Sequence, residues 1–408
     1  MSGDSFTEIK GGVTAPKSFL AGSVYAGIKA GNLSSPDIAF IHSETPAIAA
    51  GTFTTNRVKA APVRVSRAHI RAEETQTIVA NSGNANACNG VIGIEHAKQM
   101  VRATAKAFGV KERSVLVAST GRIGVPLPIE AMENAIAGGP GAVSGTAGEG
   151  SLRAARAIMT SDTFPKEIAV ELELYGKKVR IGGIAKGAGM IDPNMATMLA
   201  FVTTDATIEK KLLGEALLDA VEQSFNRITV DGDMSTNDTV LMLANGAAGA
   251  PPLRNGDPEF ERFQDALNHL LFNLARMIVE DGEGVTKFVT IQVHGAKSRQ
   301  DSREAAEAVA NSVLTKCSWF GGDPNWGRIM DAIGYSGARI REEMIDIYYD
   351  GLIAVKNGTP ASTPFEQLRK VVAEPRFTIT IDLHMGEAEY TAYTTDLSTR
   401  YVELNMGE

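Results

Sequence analysis

Between residues 257 and 280 the chain places Phe260, Phe263, Leu267, Leu270, Leu274 and Ile278 at three- and four-residue spacing, which commits the segment to a helix with one long apolar stripe. Leu212, Leu213, Leu217, Val221 and Phe225 do the same over residues 208–225. Both stripes are most simply core. Between and around them lie short β-branched runs at 77–80, 115–119, 168–174, 178–185, 239–244, 287–295 and 376–384. Strand runs mixed with amphipathic helices argue for an α/β or α+β build. The last two runs alternate apolar with polar residues, so each is expected to keep one wetter face.

With 408 residues, 44% of them apolar, the chain can bury the core of two domains or of one large layered one, and no repeat-protein period is visible. Forty basic residues against forty-eight acidic ones, without a Lys/Arg block, make nucleic acid an unsuitable partner. No apolar run reaches membrane-spanning length, the first residues lack a secretory pattern, and only Cys88 and Cys317 occur. A cytoplasmic, reduced protein is expected. The glycine-rich stretch 137–150 reads as an exposed connector ahead of a helix at 151–160, and it lacks the Gly-Lys-Ser/Thr ending of a phosphate loop.

Absences narrow the chemistry. Histidines 42, 69, 96, 269, 294 and 384 form no metal-binding pair, the cysteines have no zinc spacing, and no G-x-S-x-G elbow anchors a serine triad, so no metal is expected. Attention falls on residues 186–201, KGAGMIDPNMATMLAF, where Ala196-Thr197 sits at the mouth of an apolar run. A threonine hydroxyl needs an adjacent base, and cutting the chain before it frees its own α-amine, which titrates near about 7.7–8.0. The same hydroxyl can first attack the Ala196 carbonyl and give an ester that water opens. Taken alone, such a pair is most often just the first residues of a strand.

The segment KGAGMIDPNMATMLAFVTTDA resembles the self-cleavage segment of the ornithine acetyltransferases, or bifunctional glutamate N-acetyltransferases. The blocks NSGNANACNG (81–90), ASTGRIG (118–124), AIMTSDT (157–163), SFNRITVDGDMSTNDT (224–239), DGEGVTK (281–287) and GGDPNWGRIMDAIGYSG (321–337) extend the likeness along the chain. The resemblance implies a cut between Ala196 and Thr197, an α chain of residues 1–196, a β chain of 197–408, and a heterotetramer of two of each. It implies an α+β fold, a four-layer αββα sandwich resembling N-terminal-nucleophile hydrolases with different connectivity, plus a smaller C-terminal lobe.

The implied activity moves acetyl from N2-acetylornithine to glutamate through an acetyl-Thr197 intermediate, with small amino acids as the only partners and no cofactor. Acetyl-CoA as a further donor stays open. Thr120 and Gly121 match the family's oxyanion pair, and Thr160, Lys186, Thr197, Glu283 and Asn405 its substrate-binding positions. A lysine suits a substrate carboxylate and a glutamate an ammonium. Ser161 stands where the family usually has a second threonine, and a family hydroxyl five positions beyond the match to Asn405 would fall past Glu408.

Asp231, Asp233, Asn237 and Asp238 lack EF-hand spacing and read as an ordered turn, while Trp319 and Trp326 read as packing or a subunit contact. A threonine amidohydrolase or aminopeptidase, passing the acyl group to water, is the alternative enzyme. An uncut binding protein is the non-enzymatic one.

Overall fold

The computed structural model describes residues 6–29, 35–146, 148–192 and 198–406. Its contacts divide into two units, the first holding residues 1–187, 194–226 and 234–278, the second residues 188–193, 227–233 and 279–408.

In the first unit the strands are β1 (Phe6–Ile9), β2 (Phe19–Val24), β3 (Ile38–Phe53), β4 (Thr75–Asn84), β5 (Val115–Arg122), β6 (Val143–Ser144), β7 (Lys166–Leu174), β8 (Lys177–Lys186), β9 (Leu199–Thr204) and β10 (Thr239–Ala244). The helices are α1 (Ala61–His69), α2 (Gly90–Phe108), α3 (Ile129–Ile136), α4 (Gly139–Ala142), α5 (Glu149–Ile158), α6 (Lys210–Glu222) and α7 (Pro258–Glu280).

The long strand β3 belongs to two half-sheets. Its first part pairs with β2 and β4, and its second part pairs with β10, with the register broken between His42 and Ala47. Pro46 lies in that break and has no N–H to give a ladder, so the strand changes partners there. One half carries β6, β2, β3, β4 and β5, and the other runs β1-β7-β8-β9-β10-β3.

Alternation along the strands then builds the layers. Ala39, Ile41, Ile78, Ala80, Leu116 and Ala118 of the first half share one core with Ile184, Leu199, Phe201, Leu241 and Leu243 of the other, and α5 adds Ala154, Ala155 and Ile158. The opposite face of the first half, Ile38, Phe40, Val79, Val115 and Val117, packs on α1, α2 and α3. Helix α7 covers the opposite face of the second half, where Leu270 and Leu274 approach Gly183, and α6 joins it through Gln264, which donates to the Ala216 carbonyl. The result is an αββα sandwich within an α+β chain.

The second unit adds β11 (Phe288–Ala296), β12 (Asp346–Tyr349), β13 (Leu352–Lys356), β14 (Thr359–Pro360), β15 (Arg376–Asp382) and β16 (Ala388–Thr395), with α8 (Arg299–Asn311), α9 (Val313–Phe320), α10 (Trp326–Tyr335), α11 (Phe365–Ala373) and α12 (Thr399–Leu404). Sheet order is β14-β13-β12-β15-β11-β16. Val289, Ile291 and Val293 of β11 and Phe377, Ile379 and Ile381 of β15 face the helices, while Thr290, Gln292, Thr378 and Thr380 keep the wetter side that their alternation predicts. Trp319 is fully buried in this core and Trp326 packs against it, so both tryptophans serve packing.

The described residues of the glycine-rich stretch 137–150 are largely exposed, as composition suggests, but they are not a featureless connector. They form α4 and β6, and β6 pairs with β2. Gly150, the second residue of α5, sits so close to the backbone that a Cβ there would lie 2.2 Å from the Ser144 carbonyl oxygen and 2.3 Å from that of Ala21. Alanine ordinarily gains about 1 kcal/mol over glycine in a helix. Here we expect Gly150→Ala to reverse that sign and cost about 1–3 kcal/mol in urea denaturation, through overpacking against backbone that cannot yield. A more stable variant would mean that the segment is not seated as described.

Candidate active site

Three strand ends come into line where Lys186 of β8 faces Leu199 of β9, and Leu199 faces Thr239 of β10. The residues just outside that line are Gly187, Met198 and Asp238. Ala196 and Thr197, the expected cleavage pair with its nucleophile, lie outside the described residues. Immediately after them, Met198 is buried and β9 is buried along its whole length.

Lys186 is buried at the end of β8, and its Nζ donates to the Thr160 hydroxyl at 2.5 Å. It also lies 3.7 Å from the Asp162 carboxylate. Asp162 binds Lys166 Nζ at 2.7 Å and accepts the N–H groups of Thr160 and Gly187 at 3.0 and 2.7 Å. Burial alone would push the Asp162 carboxyl up, but Lys186 and Lys166, with the Gly187 N–H, more than offset it and hold the group well below the usual carboxylate range. One aspartate thus fixes the start of β7, the end of β8 and the turn carrying Thr160. Lys29, whose Nζ reaches the carbonyls of Pro36 and Ala157, feels Asp162 and Lys186 as well, and burial lowers its ammonium.

Thr120 and Gly121 do not follow β5, as a strand ending at 119 would have them do, but lie within it. Gly121 faces Gly83 of β4 in the register, and a Cβ on Gly121 would fall 2.3 Å from the Gly83 carbonyl carbon. Two facing glycines let the strands stay close enough to continue pairing. Gly121 has φ +127, a conformation that L side chains rarely adopt, and it is exposed, whereas Thr120 is buried. Asn237, just ahead of β10, donates through Nδ2 to the carbonyls of Ser119 at 2.7 Å and Ala85 at 2.6 Å. The end of β5 is therefore tied to the head of β10.

In the second unit Glu283 and Asn405 are joined, Asn405 Nδ2 donating to Glu283 Oε2 at 2.9 Å. The Glu283 N–H donates to the Ala188 carbonyl, and a Cβ on Gly189 would come within 2.7 Å of the Glu283 carboxylate, so a side chain at 189 would have to displace that carboxylate. Asp231 accepts the N–H groups of Met190 and Ile191 and the Tyr401 hydroxyl. Asp192 is pushed up to about 7, chiefly by burial, against the Asn311 amide.

The structure thus joins Thr160 with Lys186 in one unit and Glu283 with Asn405 in the other. Asp162, Lys166, Lys29 and Tyr401 carry no sequence signal beyond their charge or hydroxyl. The segment 231–238 does more than turn: Asp231 holds a loop, and Asp238 is fully buried at a strand head. Among the described residues no cluster of metal-ligating side chains occurs.

Asp162 supplies a pH test. Its folded-state pKa is depressed, so its stabilising contribution is complete above the unfolded carboxylate pKa of about 3.9 and is lost as pH falls below it. Asp162→Asn leaves two buried lysines without their carboxylate and is expected to cost about 3–5 kcal/mol at neutral pH, while flattening the acid limb of stability. Urea melts across pH check both; an unchanged acid limb would contradict the assignment.

The model of the ArgJ family matches residues 20–407. The arginine biosynthesis bifunctional protein ArgJ of Symbiobacterium thermophilum is 48% identical over 397 residues, covering 97% of this chain and 98% of its own. The glutamate N-acetyltransferase of Methanocaldococcus jannaschii is 48% identical over 408 residues, with the same two coverages. Among solved structures, the arginine biosynthesis bifunctional protein ArgJ of Bacillus halodurans is 38% identical, with a TM-score of 0.50, over 51% of this chain and 98% of that chain. The family match runs through both units and takes in every site residue assigned above, and with these relatives it shows that the chain belongs to the ArgJ family.

Proposed function

We propose that this chain is an ornithine acetyltransferase of arginine biosynthesis, moving acetyl from N2-acetylornithine to glutamate by a ping-pong cycle on Thr197. The observation that carries the reading is the 48% identity to a glutamate N-acetyltransferase across 97% of the chain. No helix among the described residues is long and apolar enough to cross a membrane, which agrees with an enzyme of small dissolved amino acids. We assign it to the cytoplasm.

The cycle begins with the chain's own peptide bond. The Thr197 hydroxyl oxygen attacks the Ala196 carbonyl carbon and gives up its proton, and the C–N bond breaks as the nitrogen takes a proton, leaving an ester and a free α-amine. Water opens the ester to the Ala196 carboxylate and regenerates the hydroxyl. In turnover the α-amine takes the hydroxyl proton as the oxygen attacks the acetyl carbonyl of N2-acetylornithine. Ornithine leaves with that proton on its nitrogen, and the amine of glutamate then takes the acetyl group from Thr197. Thr120 and Gly121 are the oxyanion donors of both half-reactions, each such donor contributing about 3 kcal/mol.

Lys186, oriented by Thr160, receives a substrate carboxylate, and Glu283 with Asn405 receives an ammonium group. No resident cofactor takes part, and acetyl-CoA is a second acyl donor in the same cycle. The mature enzyme is a heterotetramer of α chains 1–196 and β chains 197–408. That the Bacillus halodurans chain is matched over 98% of its length yet covers 51% of this one is what a two-chain enzyme would give.

The test is the denatured mass of the purified protein before and after incubation with N2-acetylornithine alone, with acetyl-CoA in a parallel sample. Two chains, the second beginning at Thr197 and gaining a single acetyl group, are expected, and Thr197→Ala should remain one chain. A Thr197→Ala protein that still splits, or a wild-type second chain that never acquires acetyl, would sink the proposal.

A further inference from the structure

Met198, the residue directly after Thr197, is held at both of its peptide groups by the head of β10. Its N–H donates to Asp238 Oδ1 at 3.0 Å, and its carbonyl accepts the Thr239 N–H at 3.1 Å. The Asp238 backbone is anchored in turn, its carbonyl taking the Thr54 N–H at 2.9 Å. Asp238 is wholly buried, and its second oxygen, Oδ2, has no hydrogen-bond partner among the described residues. Nothing in the acetyl-transfer cycle described above uses this carboxyl.

We propose that Asp238 is the positioning residue of Thr197, setting the direction of its hydroxyl and of its freed α-amine by fixing the backbone N–H of Met198. The inference rests on the reading of Thr197 as the nucleophile.

The charge state of Asp238 suits that task. Burial pushes its carboxyl well above the usual carboxylate range, against the Met198 N–H, the Thr54 hydroxyl and Lys186, which favour the ionised form. Burial thus favours the uncharged acid at Asp238. An ionised carboxylate this close to the new chain end would hold the α-amine as an ammonium and raise its pKa, removing the base that the cycle needs. The carbonyl oxygen of an uncharged acid still accepts the Met198 N–H, more weakly than a carboxylate would, and leaves the amine free to take a proton.

The test compares Asp238→Asn, which keeps an acceptor for the Met198 N–H without any possibility of ionisation, with Asp238→Ala, which removes the acceptor. Full-length proteins are followed by denatured mass during maturation, and matured protein by the pH dependence of kcat/KM. Asp238→Asn is expected to mature and to keep the acid limb of the pH profile where wild type has it. Asp238→Ala is expected to mature at least about tenfold more slowly and, once matured, to lose kcat with little change in KM, because the nucleophile is misdirected and not merely less populated.

Maturation of Asp238→Ala at the wild-type rate overturns the inference, as does an acid limb displaced in Asp238→Asn, which would mean that the carboxyl acts ionised. If Asp238→Ala does not fold, the Asn variant decides by the same profile. Wild-type protein that is never cut before Thr197 overturns the functional reading, and this inference with it. Wild-type protein cut normally beside an unimpaired Asp238→Ala overturns this inference alone.

Discussion

Asp162 holds together the parts of the first unit on which the proposed chemistry depends. Its carboxylate sits where water cannot reach, between the ammonium groups of Lys166 and Lys186 and two backbone N–H groups. Buried charges are tolerated only when paired and hydrogen-bonded, and this one carboxylate meets that demand for two lysines. The same contacts fix Thr160 and the turn that leaves β8, so the geometry of Lys186 follows from an electrostatic necessity of the core. A carboxylate removed here would release a buried lysine before it released any apolar contact.

Asp238 is the counterpart in which environment decides the other way. Both aspartates are buried, yet Asp162 has two ammonium neighbours in contact, whereas Asp238 has the Met198 N–H and the Thr54 hydroxyl beside it, Lys186 farther off, and no partner on Oδ2 among the described residues. Burial wins at Asp238 and loses at Asp162. Two carboxyls of one fold are therefore pushed in opposite directions, Asp162 toward the anion and Asp238 toward the uncharged acid, by their surroundings alone.

Much of this was legible in the sequence, for identifiable reasons. The stripe from Phe260 to Ile278 and the run Thr239–Ala244 gave elements with nearly the observed bounds, because periodicity reports burial directly. The double membership of β3 was not legible: Pro46 marks a break, but only tertiary packing tells a break from an end. Nor was the depth of Asp238, since an aspartate among Asp231, Asp233 and Asn237 looks solvated until the apolar run behind it is placed as a central strand. Lys166 four residues after Asp162 has the spacing of a helical pair, yet Asp162 lies in the irregular link between α5 and β7 and Lys166 begins β7. Thr197 itself was singled out by resemblance, and it is the flanking residues whose structure bears on it.

The strand order explains how a chain with this fold can lose a peptide bond at its centre and keep its shape. Across the sheet the sequence β8-β9-β10-β3 places two strands from beyond residue 197 between two from before it. All six residues of β9 pair with β8 on one side and with β10 on the other, while β10 pairs with the second part of β3. At about 1 kcal/mol net for each backbone hydrogen bond, together with the buried side chains of both strands, these ladders far outweigh one covalent link whose ends need not stay close. A cut before Thr197 removes the tether and leaves both ladders whole. Met198, bonded to Asp238 and Thr239, would keep its place in the sheet after such a cut.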